Sequence, residues 1–359
     1  EQRTLLSGLT LSGLVLIGER WLYHRVVRSP HFKRRVLVLG VGSRAAYVAE
    51  LQGERCVEEL PYTVVGFLDL EQSGAVDVSV AQVIYRTGEE SILDLARSWE
   101  VDELVVAVRD RRGKLPIREL LDCKLHEINV TDLSSFIERE RRYINLDSLN
   151  TSWLVFGDGF RRDASQAFIK RSGDVLFSLV LLILSTPVML LTTLAIKLES
   201  RGPVFYRQER VGRGNQPYWL YKFRSMREDA EKDGVPRWAQ SNDDRITRVG
   251  GVIRKLRIDE LPQLLNVLRG DMSLVGPRPE RPLFTDQLSA NIPYYNVRHS
   301  LRPGITGWSQ VCYPYGASVE DARCKLQYDL YYLKNHNFFL DLLIIFRTVG
   351  VVSFGEGSR

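Results

Sequence analysis

Twenty-two consecutive residues, Val175 to Ile196, carry no charge. At 1.5 Å per helical residue such a run is long enough to cross a bilayer. Pro187 stands inside it behind Ser185 and Thr186, and predicts a kink or break, because proline removes a helical hydrogen bond and crowds the preceding turn. The flanks are basic on both sides, with Arg161, Arg162, Lys170 and Arg171 before and Lys197, Arg201, Arg207, Arg210 and Arg213 after. A helix that crosses a membrane should show that bias on one side only. If both ends share one face, the helix enters, bends at the Ser-Thr-Pro step and returns, with the Ser185 and Thr186 hydroxyls meeting freed carbonyls. A re-entrant helix over residues 173–199, a kinked span and a buried helix of a soluble domain are all consistent with the run.

A second uncharged run, Thr4 to Gly18, leads through Trp21 and Tyr23 into Arg25, Arg28, Lys33, Arg34 and Arg35. Aromatic residues followed by a basic cluster mark a helix leaving the membrane on the cytoplasmic side. The run is short for a span, and with Glu1 as its first residue the chain is expected to be a piece of a longer protein. Residues 1–35 are thus expected to be the end of a transmembrane region with its basic linker. A third apolar stretch, Phe338 to Phe354, is interrupted by Asp341 and Arg347 and reads as an interfacial or partner-facing amphipathic helix.

Charge sorts the rest of the chain. Residues 1–35 hold seven Lys/Arg against two acids, residues 36–150 thirteen against twenty-one, and residues 151–359 twenty-nine against twenty-one. The net +5 is too mild to argue for a nucleic-acid partner. Four cysteines stand far apart without a CxxC pair, and five histidines are scattered without HExxH, so zinc and Ser-His-Asp chemistries are disfavoured. No GxxxxGK[ST] occurs, which excludes a P-loop. The chemistry must run on carboxylates, lysines and arginines.

In the acidic middle, the apolar run Val36–Leu39 reads as a buried parallel strand feeding a Gly40-Val41-Gly42-Ser43-Arg44-Ala45 turn and a helix through Leu51. Further strands are expected at Tyr62–Leu68, Glu103–Val108 and Ile128–Leu133, with a helix at Ser91–Ser98. Alternating strands and helices predict a doubly wound, Rossmann-like α/β domain over residues 36–150. Gly40 and Gly42 are a weak nucleotide-binding signal. Ala45 replaces the third glycine, and Asp69 lies far along for a ribose acid. A structural, regulatory or dimerising role is the plainer reading, and a homodimer is the expectation that goes with it. Residues 36–150 contain no Tyr-xxx-Lys set to support the competing reading, an oxidoreductase or sugar-nucleotide-modifying enzyme at the Gly40 turn.

The basic C-terminal part alternates aromatics with cations from Gly202 to Met226, including Lys222 and Arg224, which alone would suit a headgroup-facing surface. Arg254-Lys255-Leu256-Arg257-Ile258-Asp259-Glu260-Leu261-Pro262 follows, with Pro262 in the first turn of a helix ending at Gly270. Asp259 and Glu260 at that helix edge complement its dipole in the plain reading. With three cations within five residues they also suit a phosphate site, a Mg²⁺ ligand pair or a carboxylate nucleophile. Pro277-Arg278-Pro279-Glu280 fixes the backbone around a guanidinium, which suits a phosphate or a base.

Four segments together resemble the bacterial sugar transferases, the monotopic polyprenyl-phosphate hexose-1-phosphate transferases. They are Lys222-Phe223-Arg224-Ser225-Met226, Asp259-Glu260-Leu261-Pro262-Gln263, Gly270 to Glu280, and Arg302-Pro303-Gly304-Ile305-Thr306-Gly307. The resemblance covers residues 165–359, and the part before it is similar to the large members that carry transmembrane helices and a nucleotide-binding-like domain. It implies a mainly α monotopic membrane domain whose re-entrant helix breaks at a Ser-Pro step, here Ser185-Thr186-Pro187 with a threonine intervening. It also implies transfer of a hexose-1-phosphate from a UDP-sugar to polyprenyl phosphate at the cytoplasmic face of the bacterial inner membrane. Asp259 would be the nucleophile, Glu260 a metal ligand or base, and Mg²⁺ the cofactor at the pair. Lys222, Arg224, Arg254, Arg278, Glu280 and Arg302 would hold substrate. A membrane scaffold without catalysis, the remaining alternative, leaves these four segments unexplained.

Overall fold

The computed structural model describes residues 33–53, 60–70, 76–86, 90–108, 115–148, 164–228, 244–313 and 318–354, with a few isolated positions besides. The apolar run before Trp21 and its basic linker as far as residue 32 lie outside the described residues, apart from positions 15, 18 and 19. The chain divides into two compact units, Glu1–Glu140 and Arg141–Arg359. Ile144, placed on sequence grounds in the first domain, is buried in the core of the second unit.

The first unit is a mixed α/β body on a five-stranded parallel sheet. Its elements are β1 (Arg34–Leu39), α1 (Ser43–Gly53), β2 (Tyr62–Asp69), β3 (Val83–Tyr85), α2 (Ile92–Ser98), β4 (Glu103–Val106), α3 (Ile117–Leu125), β5 (Asn129–Asp132) and α4 (Leu133–Arg141). The strand order is β3-β2-β1-β4-β5. Val36 to Leu39 and Leu104 to Val106 are buried, as continuous apolar runs in a parallel sheet must be. Ser91 caps α2 by accepting from the Asp94 amide at 3.1 Å. β3 and α3 escape the sequence reading: one is three residues long, and the other leaves Ile117, Leu121 and Leu125 exposed. Gly40 closes β1 at φ +118, a region open to glycine, with the Ala107 and Val108 backbone 3.6 Å from where a Cβ would stand. Gly42 follows at the start of α1, its carbonyl accepting from the Ala45 and Ala46 amides at 2.8 and 3.0 Å.

The second unit begins with α5 (Ala164–Glu199), 36 residues long and uninterrupted at Pro187. Among the described residues it is the helix long and apolar enough to cross a membrane, and 11% of its most apolar window is buried. Its polarity is inverted. The positions that face protein are Asp174, Ser178, Leu182, Ser185, Met189, Thr192 and Ile196, at intervals of three and four residues. Leu184, Leu190 and Leu191 point outward at 66–70% exposure. Pro187 deprives the Ile183 carbonyl of its helical donor. The Ser185 and Thr186 hydroxyls instead reach Leu182 O, at 3.3 and 2.7 Å.

Both ends of α5 are tied to the same unit. Near its start, Arg171 donates to Val267 O and Leu268 O at 2.6 and 2.9 Å, and Asp174 accepts from the Leu274 amide at 3.1 Å. At its end, Glu199 accepts from the Val249 amide at 3.1 Å.

The remaining elements are β6 (Phe205–Val211), β7 (Pro217–Phe223), α6 (Arg248–Lys255), α7 (Gln263–Arg269), β8 (Ser273–Val275), α8 (Pro282–Asn291), β9 (Gly304–Thr306), α9 (Trp308–Cys312), α10 (Val319–Asn335) and α11 (Phe338–Phe354). The aromatic–cation run that suggested a headgroup surface forms the antiparallel β6–β7 hairpin. β8 and β9 pair in parallel. The core gathers Trp308, Tyr332, Leu330, Met272 and Val275. Within it lies a buried ion pair, Arg298 to Asp329 at 2.7 Å, with Tyr295 OH at 2.7 Å on the guanidinium and Ser309 Oγ at 2.7 Å on the carboxylate.

Removing one half of that pair strands the other. Asp329→Leu should cost about 3–5 kcal/mol of stability, seen as a lower denaturation midpoint in detergent. The double variant Arg298→Met/Asp329→Leu should recover most of the loss.

Candidate active site

Lys222 is the next-to-last residue of β7, and the carboxylate pair lies on a 3₁₀ turn, Ile258–Glu260, between α6 and α7. The two are brought together by Asn266, which is fully buried on α7. Its Oδ1 accepts from the Tyr221 amide at 3.1 Å and its Nδ2 donates to Trp219 O at 2.7 Å, so one side chain clamps the strand before Lys222 to the helix after Glu260. The turn is entered through Arg257 at φ +56, a left-handed conformation rarely adopted by a side-chain-bearing residue. It is left through Pro262, which precedes α7, and α7 ends at Gly270 with φ +97. The acids therefore sit on their own tight turn, ahead of the helix.

Glu260 is the centre of the cluster. Its Oε1 accepts from Lys222 Nζ at 2.9 Å and lies 3.4 Å from an Arg278 nitrogen and 3.7 Å from one of Arg257. Burial acts to raise its carboxyl, but Lys222, Arg278 and Arg257 outweigh it and hold the group well below the ordinary range. Asp259 is the opposite case. Burial pushes its carboxyl above the ordinary value; Lys222, Arg254 and Arg257 pull it back, and Glu260 adds to the rise. Among the described residues Asp259 makes no hydrogen bond or ion pair. An Arg254 nitrogen is likewise buried without a hydrogen-bond partner among them. Two neighbouring acids thus differ in role: one is locked and ionised, the other is buried and uncommitted.

Arg278 is presented by a loop whose backbone is pinned at successive carbonyls. Pro277 O accepts from the Gly304 amide at 2.9 Å, Arg278 O from Arg298 at 3.0 Å, Pro279 O from Arg210 at 3.0 Å and Glu280 O from the Val211 amide at 2.9 Å. The prolines have no amide hydrogens to satisfy. Gly276, Gly304 and Gly307 let the two backbones touch. A Cβ on Gly276 would meet Arg302 O at 2.4 Å, and one on Gly307 would meet Gly276 O at 2.3 Å.

The other expected substrate residues lie elsewhere. Arg224 is buried and donates to Ser200 O, Ser200 Oγ and Arg201 O, at 3.1, 2.7 and 2.8 Å, where it ties down the end of α5. Glu280 turns its side chain toward Arg210, at 3.8 Å. Arg302 opens into a separate cleft with Arg171 and Arg213. Residues absent from the sequence expectation are Asn266 and Arg298, which carry no local signal, and Arg257, noted only as one of three neighbouring cations.

The family described as Bacterial sugar transferase matches residues 165–355. The chain belongs to the bacterial sugar transferase family. Among similar proteins, a UDP-N-acetylgalactosamine-undecaprenyl-phosphate N-acetylgalactosaminephosphotransferase from Aeromonas hydrophila is 46% identical over 266 residues, 74% of this chain and 58% of its own length. A UDP-glucose:undecaprenyl-phosphate glucose-1-phosphate transferase from Escherichia coli (strain K12) is 31% identical over 352 residues, 95% of this chain and 73% of its own. An undecaprenyl-phosphate glucose phosphotransferase from Komagataeibacter xylinus is 32% identical over 354 residues, 95% and 64% of the respective chains. The chain therefore spans between about three-fifths and three-quarters of these relatives.

The interlocked glycines set a test of the Arg278 loop. Gly276→Ala should destabilise by about 1–3 kcal/mol in thermal unfolding. Gly251→Ala, with open space around its Cβ on α6, should be neutral or stabilising by up to about 1 kcal/mol.

Proposed function

We propose that the protein transfers a hexose-1-phosphate from a UDP-sugar to polyprenyl phosphate, through a phosphosugar carried on Asp259. The observation that supports it most is the pair itself: a buried Asp259 without a partner, beside a Glu260 locked among Lys222, Arg257 and Arg278. The relatives' names describe this class of reaction.

In the first step an Asp259 carboxylate oxygen bonds to the β-phosphorus, the bond from that phosphorus to the bridging oxygen breaks, and UMP leaves with the electron pair. In the second, a phosphate oxygen of the polyprenyl phosphate bonds to the same phosphorus and the Asp259 oxygen departs as carboxylate. Charge neutralisation dominates such transfers. Lys222, Arg254 and Arg278 are the cations near the pair, and Arg278 on its pinned loop is suited to grip the nucleotide end. Glu260 orients Lys222 and Arg278 by holding both.

Asp259 and Glu260 fit Mg²⁺. The first is uncommitted and the second uses only Oε1 in its ion pairs, leaving oxygens for an ion that takes its other ligands from phosphate and water. No third His, Cys, Asp or Glu joins them among the described residues. Bound there, Mg²⁺ would supply further positive charge at the diphosphate.

We read α5 as a helix that enters and leaves the cytoplasmic face of the inner membrane. Its two anchored ends, polar inner stripe and apolar outer surface support that reading. Phe338, Phe339 and Phe346 of α11, 55–79% exposed, suit the same interface. The parallel sheet of the first unit is read as Rossmann-like.

UMP release from UDP-sugars, in detergent with polyprenyl phosphate and Mg²⁺, tests the reaction. Asp259→Asn should reduce it by on the order of 10³-fold or more; full activity in that variant rules out the nucleophile. Because Lys222 favours the ionised Asp259, Lys222→Met should raise the Asp259 carboxyl further. The acidic limb of kcat/KM should then move to higher pH, and an unmoved limb separates the two groups. Cysteines introduced at Gln166 and Arg201, in a variant lacking the native ones, should label from one side of the membrane. Labelling from opposite sides defeats the re-entrant reading.

A further inference from the structure

Away from the carboxylate pair, the foot of α5 borders a cleft open to solvent. Lys170, Arg171, Asp174, Arg213 and Arg302 line it, and none of Lys222, Asp259, Glu260 or Arg278 does. Four cations face one acid, and the charges are unevenly answered. Lys170 is neutralised by Asp341 at 2.7 Å, and Asp174 is engaged by the buried Leu274 amide. Arg171 is held in place by two carbonyls, which orient its guanidinium without cancelling its charge. The side chains of Arg302 and Arg213 make no hydrogen bond or ion pair among the described residues. Burial and the nearby Arg171 and Arg213 lower the Arg302 guanidinium below its ordinary value, against the opposing pull of Asp174.

Three guanidiniums converging on one cleft repel each other unless an anion joins them, and their planar forks match phosphate oxygens. The cleft's place decides which anions can reach it. Gln166, Lys170, Arg171 and Asp174 occupy the turns of α5 just before Leu176, Phe177 and Val180, which are 45–59% exposed. A phosphate held here lies where the helix passes from polar to apolar surroundings, at the depth of headgroups.

We propose that this cleft is a second phosphate site, separate from the Asp259 centre, which takes the phosphate of a lipid headgroup or a soluble phosphate through Arg302, Arg213 and Arg171. The proposal goes beyond the transfer reaction and holds whichever residue is the nucleophile.

The test uses the full chain with two probes: phosphatidylglycerol retained in native mass spectrometry, with phosphatidylcholine as reference, and inorganic phosphate in calorimetry. Arg302→Gln and the exposed Arg213→Gln are compared with Arg201→Gln outside the cleft, all checked for wild-type melting. Selective retention of phosphatidylglycerol, weakened about tenfold or more in the Arg302 and Arg213 variants only, supports a headgroup site. Inorganic phosphate binding with the same variant dependence supports a site open to soluble phosphate. If neither selective phosphatidylglycerol retention nor inorganic phosphate binding depends on Arg302 and Arg213, both variants behaving as the wild type does, the proposal is overturned.

Discussion

Glu260 gathers three cations onto one carboxylate. Lys222 arrives from a hairpin, Arg257 from the preceding turn and Arg278 from a loop beyond α7. A buried ionised carboxylate is costly unless it is paired, and cations brought this close together are costly unless an anion lies among them. Each answers the other. The result is a set of positive charges held beside Asp259, whose own carboxyl makes no hydrogen bond or ion pair among the described residues.

The geometry of that set is maintained by polar atoms in the protein interior. Asn266 serves the edge of β7 with an acceptor and a donor at once, and it has no exposed surface. Arg298 bonds the Arg278 carbonyl while paired to Asp329, so the ion pair in the core also steadies the loop that presents Arg278. Such groups are tolerated inside a protein when their bonds are complete, and they then fix one arrangement where apolar packing would accept several.

The parts legible in the sequence are those written in contiguous residues. β1, β2, β4 and β5 showed as short strand-like runs, α7 showed through Pro262 and Gly270, and the carboxylate pair and the Arg278 loop showed as motifs. The β6–β7 hairpin did not, because aromatics alternating with cations fit an exposed strand pair and an interfacial surface equally well. Arg224 was grouped with Lys222 because both stand in the Lys222-Phe223-Arg224-Ser225-Met226 segment. The strand ends at Phe223, however, and Arg224 turns to the end of α5. Asn266 and Arg298 were illegible for a different reason: their partners are far away in sequence, and nothing beside them in the chain marks a clamp.

The inverted polarity of α5 makes the surrounding solvent part of the second unit's architecture. Water on the outer face would meet leucine after leucine, whereas hydrocarbon completes it. Asp174 on this helix holds the amide of Leu274, two residues before Gly276 and the start of the pinned loop. The helix that turns its leucines outward is therefore joined, through one hydrogen bond and one short strand, to the loop that presents Arg278.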